Sequence, residues 1–372
     1  MSRNGLRKRE PPTDTAFLLT ITICMFMAMY ILAVIFLGDK GFSKPQTFFN
    51  LLNEYAALIV LSCGLSVVMI SGGIDISVGG VTALICMTCV VYLEDAGGGS
   101  TIAIAGCVIM RVLCGTETQV YELHNLVIVA VVLGCLAGML AGAFNGILVS
   151  VFRIQPMVAT LILFTAGRSI GSMVLGGNKP MVHVDAFSYW GNFIPGIPIP
   201  TPIFFALAGV IVIFLVLKFT NLALYAQSVG INENASRLNG LNPRSVKMMT
   251  YIIMGVCVGI AAFLQVSRQS SINPITITKN IEMDAILAVA LGGNALSGGK
   301  FSMAGSVIGA YTIQALSTTL STHNVPSEGV PAYKAIIIIL IVIVQAPVVK
   351  EFFGKFWGNL TKKSSGTIRK VA

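Results

Sequence analysis

Long apolar runs separated by short polar segments are the feature that most limits what this chain can fold into. A run of about 20 apolar residues is long enough to cross a bilayer as one helix. Inside the hydrocarbon every backbone polar group must find a partner within the protein, so runs of this length predict helices. The candidate spans are 16–37, 51–71, 76–93, 126–151, 156–175, 203–219, 248–266, 283–297, 302–320 and 334–349. We therefore predict an all-α integral membrane protein with about ten transmembrane helices.

The composition agrees with a membrane protein and excludes a nucleic-acid-binding one. Apolar residues make up 55% of the chain and charged residues only 10%, whereas a soluble domain carries about 25% charged residues. The net charge of +9 comes from basic residues at the two ends and in a few short loops, with no basic face interleaved with aromatic residues. This distribution fits orientation in a membrane and contact with anionic lipid.

The basic residues also predict an orientation, because Lys and Arg near span ends are retained on the cytoplasmic side. With the N-terminus inside, ten spans place 16 of the 24 basic residues inside and 7 outside, with Arg168 inside a span. The apolar segment 102–113 is short and contains Arg111, so we interpret it as interfacial. Both termini are then cytoplasmic, as a tail over 1–15 and a basic tail over 350–372, on either side of a single transmembrane domain at 16–349.

The longest polar interruption with strong positive charge is the segment 221–247, which the orientation places in the cytoplasm. Its middle, 232–238, can form a short helix. Gly230 and Gly240 bracket that helix, and Pro243 is expected to prevent its continuation. The segment is either a solvated connector or a docking site for a soluble partner. Its charged residues are Glu233, Arg237, Arg244 and Lys247.

Two glycine clusters, 72–80 and 290–302, interrupt apolar runs. Non-helical backbone at membrane depth is tolerated only where protein buries it or water reaches it. We therefore expect both clusters to lie against a central path or another subunit. Their similar places in the two halves hint at an internal repeat, which is common in transporters.

A few polar side chains lie inside or beside apolar runs, where an ionised group costs roughly 2.5–3.5 kcal/mol on insertion scales. Asp75 and Asp284 are either functional or structural, and Asp75 could cap the helix that follows it. Arg168 needs an acid or backbone carbonyls as a partner, and the two aspartates are candidates. Asn145 lies in a pattern of small residues typical of close helix packing, and it is a possible pore-lining group. The predicted translocation path comprises Asp75, Asn145, Arg168, Asp284, Gly292, Gly293 and Asn294.

The sequence offers no site for a nucleotide, a metal or a cofactor. The stretch 293–301 resembles a phosphate-binding loop, but Asn294 replaces the required glycine and Phe301 replaces the required Ser or Thr. The three histidines have no metal-ligand spacing, and Cys86 and Cys89 form an isolated C-x-x-C in an apolar run. We therefore expect no catalytic residues, and any ATP-driven movement would need a separate motor.

Taken together, the motifs resemble those of bacterial ribose-type ABC sugar-importer permeases. The order and spacing of the motifs match that family over about 50–350, except that 94–125 is longer than the usual link. The motifs are G-G-I-D-I-S-V-G at 72–79, G-A-F-N-G-I-L-V at 142–149, R-I-Q-P-M-V-A-T-L at 153–161, G-I-N-E-N-A-S-R-L-N-G-L-N at 230–242 and E-M-D-A-I-L-A-V-A-L-G-G-N-A-L-S-G-G-K at 282–300.

This resemblance implies a helical permease of the type II-like importer fold in the bacterial inner membrane. It implies three kinds of protein partner: cytoplasmic ATP-binding subunits, a periplasmic sugar-binding protein and a second permease chain. In such families the central cytoplasmic loop supplies the coupling helix to the ATPase. The residues of this chain that would form it are Gly230, Glu233, Asn234, Ala235, Arg237, Leu238 and Gly240.

Two other functions remain open from the sequence. An ion-coupled secondary transporter would use Asp75, Asp284 and Arg168 as coupling groups and would work alone. A channel or a purely structural membrane subunit would need neither ATP nor an ion gradient.

Overall fold

The structure is a computed structural model that describes most of the chain between residues 45 and 345. It covers 45–94, 123–175, 191–192, 199–269, 272–273, 276–299, 301–323, 325–326 and 328–345, with scattered residues between 20 and 35. The predictions for the two tails and for the segment 102–113 concern residues outside this description.

The described chain is helical, as predicted. The helices are α1 (Pro45–Ile70), α2 (Val78–Glu94), α3 (Leu123–Ser150), α4 (Pro156–Val174), α5 (Thr201–Phe219), α6 (Leu222–Ile231), α7 (Glu233–Leu238), α8 (Pro243–Arg268), α9 (Ile281–Leu291), α10 (Met303–Thr322) and α11 (Val330–Gln345). Five of them contain windows long and apolar enough to cross a membrane, namely α1, α3, α4, α5 and α8. The count of ten spans stays a prediction.

Two boundaries differ from the sequence prediction for local reasons. Pro243 does not end the preceding helix, which stops at Leu238, but is the first residue of α8. Proline suits that position, since its missing N–H would have no partner in the first turn. The span predicted over 283–297 ends at Leu291, where Gly292 and Gly293 turn the chain.

Helix α8 is central to the first of two compact units, which spans residues 1–315. It packs against α1, α2, α3, α5 and α6, and its most extensive contact is with α3. The α3–α8 contact is a seam of facing glycines, where a Cβ on Gly138 or Gly255 would overlap the carbonyl oxygen of the other. Small residues of this kind let two helix backbones touch, as the spacing in α3 predicted.

The far end of α8 is held by a separate group of polar contacts. Arg268 Nη2 lies 3.7 Å from Glu54 Oε1 on α1. Asn53 Nδ2 donates to the Gly191 carbonyl oxygen at 3.4 Å. The two ends of α8 are therefore chemically distinct, and the loop that carries α7 lies at its N-terminal end.

The second unit covers residues 316–372 and contains α11. The turn before α11 is closed by the Gly329 N–H, which donates to the Pro326 carbonyl oxygen at 2.8 Å. The candidate sites described below all lie in the first unit.

Candidate functional site

The short helix α7 has a side-chain cap at its start and complementary charges along its length. Asn232 Oδ1 accepts from the Ala235 N–H at 3.0 Å, which satisfies one of the first free amides. Glu233 lies in the first turn and Arg237 in the last, the arrangement that a helix dipole favours. Gly240 follows with φ of +83°, a conformation that glycine adopts without strain.

The surface of α7 is open, as a docking segment requires. Asn234, Ala235 and Arg237 are exposed, and the Leu238 side chain is 89% exposed. Only Ser236 faces inward, and its carbonyl oxygen accepts from the Leu241 N–H at 3.1 Å. The helix is therefore anchored on one side and offers both an apolar and a cationic side chain on the other.

Beside α7 lies a cavity of about 720 Å³ between the α3–α4 turn and the start of α8. The cavity includes one ion pair, in which Lys247 Nζ lies 2.6 Å from Glu233 Oε2. Arg153, from the α3–α4 turn, lines the cavity together with residues of the α7–α8 segment. The sequence assigned all of these basic residues to one side, and the structure brings them to one cavity.

Gly230 lies inside α6 and does not bound the short helix, which corrects the sequence prediction. The reason is a close packing contact: a Cβ at Gly230 would overlap the carbonyl oxygen of Ile70, the last residue of α1. The same hypothetical Cβ would lie 2.9 Å from the Gly299 nitrogen. The position thus demands glycine for contact with α1 rather than for ending a helix.

The two glycine clusters meet at this contact, which we call the glycine junction (Ile70, Gly72, Gly230, Gly298 and Gly299). The Gly299 N–H donates to the Ile70 carbonyl oxygen at 3.1 Å. A Cβ on Gly298 would lie 2.9 Å from the Gly72 nitrogen. Both Gly72 and Gly298 have positive φ, at +79° and +90°. Clusters far apart in sequence therefore share one site with the segment that leads into α7.

Further into the second cluster, Asn294 joins the end of α9 to the start of α10. Its Nδ2 donates to the Val289 carbonyl oxygen at 2.8 Å and to Ser306 Oγ at 2.9 Å. Its Oδ1 accepts from the Ser302 N–H at 2.7 Å. Gly292 and Gly293 form the turn itself, and a Cβ on Gly292 would overlap the backbone of Gly305. These three predicted path residues build a buried turn.

Asp75 and Asn145 belong to a second buried network, at the start of α2. Asp75 Oδ1 accepts from the Ser77 N–H at 2.9 Å and from Ser77 Oγ at 2.6 Å. Asn145 Nδ2 donates to Ser77 Oγ at 2.8 Å, while Asn145 Oδ1 has no partner among the described residues. The Ile76 N–H donates to Thr160 Oγ1 on α4 at 3.1 Å. The geometry at Asp75 is that of an Asx turn leading into a helix.

Arg168, on α4, takes a backbone carbonyl as one partner, which is one of the two alternatives from the sequence. Its Nη1 donates to the Ile277 carbonyl oxygen at 3.1 Å. The next residue, Thr278, has φ of +53°, which is unusual for a β-branched side chain. Thr278 Oγ1 donates to the Gly79 carbonyl oxygen at 3.0 Å. This segment therefore links α4, α2 and the start of α9.

Glu282 is the acid that the sequence interpretation missed. It lies two positions before Asp284 in the first turn of α9, and only 4% of it is exposed. Its carboxylate fills the space that a Cβ on Gly79 would occupy, and its Oε2 has no hydrogen-bond partner among the described residues. Asp284 is only half-buried. The available signal was the pair of acids at the start of an apolar run.

Helix α9 is too short to cross a membrane by itself. Its 11 residues rise about 16 Å, roughly half of a 30 Å hydrocarbon layer. Its first turn lies against Gly79 of α2, while Arg168, well inside α4, bonds to the segment just before it. Discontinuous helices with ends near the bilayer centre are typical of transporter sites.

Comparison with known proteins decides the family. A family model described as "Branched-chain amino acid transport system / permease component" matches residues 47–346. The chain belongs to this permease family. The match covers all of the described helices except the first residues of α1, so the glycine junction and both buried networks lie within the matched region.

The permease is also similar to several curated sugar-import proteins over most of its length. It is 30% identical to the galactofuranose transporter permease protein of Escherichia coli over 336 residues, which cover 90% of this chain and 89% of the relative. It is 30% identical to the fructose import permease protein of Bifidobacterium longum, over 89% of this chain and 86% of the relative. It is also 30% identical to the ribose import permease protein of Bacillus subtilis, over 86% of this chain and 91% of the relative.

These relatives confirm the resemblance that the motifs suggested, to permeases of monosaccharide importers. The permease is accordingly a multi-pass membrane transport subunit rather than an enzyme. No solved structure matches the chain.

Proposed function

We propose that this permease is the membrane subunit of an ATP-binding-cassette importer that carries a monosaccharide into the cell. The observation that carries the proposal is the similarity, over about nine-tenths of the chain, to permeases named for galactofuranose, fructose and ribose import. The family description names branched-chain amino acids, so the sugar assignment rests on these relatives. Sparse charge inside the helices agrees with a neutral cargo.

In the proposed mechanism the energy comes from separate ATP-binding subunits on the cytoplasmic side. Helix α7 acts as the coupling helix: Leu238 and Arg237 contact the ATPase, while Asn234 and Ala235 complete the exposed face. Glu233 and Gly240 hold the two ends of this surface, through the ion pair to Lys247 and the left-handed turn. A periplasmic binding protein delivers sugar to the opposite face of a dimer of permease chains.

The glycine junction gives this coupling a direct mechanical route. Movement of α7 displaces α6, which touches the end of α1 and the 298–299 turn at Gly230. Gln227 adds a second link, because its Nε2 donates to the Gly299 carbonyl oxygen at 2.8 Å. The loop also continues directly into α8, which packs through its glycine seam against α3. One displacement therefore reaches the helices on both sides of α8.

We propose that sugar passes along the polar groups near the half-membrane helix α9. Arg168 and Asp284 lie at its level, with Glu282 as an additional member. Asp75 and Asn145 hold the neighbouring start of α2. Gly292, Gly293 and Asn294 form the cytoplasmic turn by which α9 responds to α6 and α7.

The full topology completes the proposal. Ten spans with both termini in the cytoplasm place the α3–α4 turn, the glycine junction and α7 on the cytoplasmic side. The contacts support this placement, because Arg153 and Arg237 line one cavity and Ile70 touches Gly230 and Gly299. The basic tails would contact anionic lipid of the inner leaflet.

Reconstituted transport tests the proposal. The permease is placed in vesicles with its ATP-binding subunit and binding protein, and uptake of labelled ribose, fructose and galactofuranose is measured. We expect uptake of at least one sugar that requires both ATP and the binding protein. Uptake driven by an ion gradient without ATP would instead identify the secondary-transporter alternative, and flux that needs neither would identify a channel.

A further inference from the structure

The cavity between the α3–α4 turn and α7 carries a strong excess of positive charge. It is lined by Arg153, Arg237, Arg244 and Lys247 and by a single carboxylate, that of Glu233. Because Lys247 pairs with Glu233 at 2.6 Å, three arginines remain. None of the three forms an ion pair with a carboxylate among the described residues. Since Arg237 is assigned to the coupling surface, an anion in the cavity would meet the uncompensated guanidinium groups of Arg153 and Arg244.

A buried hydroxyl also lines this cavity. Ser150, at the end of α3, is 3% exposed. Its Oγ has no hydrogen-bond partner among the described residues. Buried polar groups in proteins are normally bonded, so this hydroxyl is available to an additional acceptor close to Arg153.

The surroundings of the cavity are apolar and open, which separates this site from a simple anion pocket. Phe152 is 67% exposed and Val151 is 50% exposed, both beside Arg153 in the α3–α4 turn. An exposed apolar face continues from the turn along α4, through Met157, Val158, Leu161 and Ile162. The basic cavity is thus followed along α4, a helix predicted to span the bilayer, by an apolar surface that suits contact with acyl chains.

We propose that this cavity binds the headgroup of an anionic phospholipid, with Arg153 and Arg244 on its phosphate and the acyl chains along the exposed face of α4. Basic pockets between transmembrane helices on the cytoplasmic side are suited to such headgroups. A water-soluble acidic partner would satisfy the arginines but would leave Phe152 and the α4 face uncovered. The bound lipid would place a membrane component against α7, next to the coupling surface.

Native mass spectrometry of the purified permease, titrated with phosphatidylglycerol or phosphatidylcholine, tests the proposal. We expect the wild-type permease to prefer phosphatidylglycerol. Arg153→Gln and Arg244→Gln should each weaken phosphatidylglycerol binding about fivefold, since one basic residue near an anionic headgroup contributes about that factor. Arg153→Lys should restore binding. Lys218→Gln is the matched control, because Lys218 is a cation at the same predicted side of the membrane but outside the cavity.

Three outcomes would overturn the proposal. The first is unchanged phosphatidylglycerol binding in both arginine variants. The second is displacement of the lipid by millimolar inorganic phosphate, which would identify a site for free anions. The third is that Arg153→Gln binds phosphatidylglycerol as the wild type does but captures less of the ATP-binding subunit in phosphatidylcholine alone. That result would identify a protein-docking surface. Sugar uptake is not part of this readout, so the lipid site and the transport function are tested separately.

Discussion

The α3–α8 seam and the α7 loop are joined by the same helix, α8, yet they are held by opposite means. In the seam, backbones touch at Gly138 and Gly255 and no side chain could be added without displacing a main chain. In the loop, the structure depends on an asparagine cap, one ion pair and a glycine turn, and Leu238 is almost fully exposed.

This difference indicates that the seam and the loop have different functions. Close-packed interfaces transmit displacement because they do not deform continuously, whereas exposed segments with few buried contacts open at low free energy. The seam therefore suits transmission of movement, and the loop suits exchange of partners. Substitutions in the seam should lower the stability of the whole permease, while substitutions in the loop should change coupling and leave stability nearly intact.

The largest expected effect is at the seam. Gly138→Ala places a Cβ into the Gly255 carbonyl oxygen, and overpacking against a rigid neighbour costs about 3 kcal/mol at the upper end of the usual range. We expect a clear fall in the midpoint of thermal unfolding of the detergent-purified permease. Gly209→Ala on α5 is the matched control, because its Cβ would meet Val60 at an ordinary 3.4 Å. Equal midpoints for the two variants would refute the rigid seam.

The buried network at Asn145 should show the next largest effect. Asn145→Ala removes the donor to Ser77 Oγ and leaves buried polar groups unsatisfied, at a cost of about 2 kcal/mol. The variant should therefore unfold at a lower temperature than the wild type. If Asn145 instead serves only to line a pore, its removal should alter uptake while the unfolding temperature stays the same.

The smallest of these effects on the free energy of unfolding is expected at the loop. Asn232→Ala removes the cap of α7, a loss of about 1 kcal/mol that is confined to a short helix. Because the helix is exposed, global unfolding should barely change while uptake by the assembled importer falls. Asn239→Ala, at the other end of α7 and without a side-chain cap, should behave like the wild type. A similar loss of uptake in both variants would show that the Asn232 cap is not the cause.

The sequence was sufficient for features that depend on local pattern. Apolar runs predicted the helices, and the N-E-N-A-S-R-L stretch predicted a short helix with Asn232 at its start. The pattern of small residues around Asn145 likewise predicted close helix packing. Each of these follows from neighbours along the chain or along one helix face.

Features that depend on long-range packing could not be predicted from the sequence. The role of Gly230 follows from contact with Ile70, about 160 positions away in the chain, and no local rule separates it from a helix-ending glycine. Glu282 and Asp284 look equivalent in the sequence, but only the structure shows that Glu282 fills the gap at Gly79.

Coupling of ATP hydrolysis to transport by α7 can be measured as the number of ATP molecules hydrolysed per sugar imported in reconstituted vesicles. We expect Arg237→Glu to insert and assemble normally and to continue to hydrolyse ATP, yet to import much less sugar, because the charge on the exposed face of α7 is reversed. Lys218→Glu, a charge reversal outside the loop, should keep the wild-type ratio. Normal sugar uptake by an intact Arg237→Glu complex would contradict the coupling assignment.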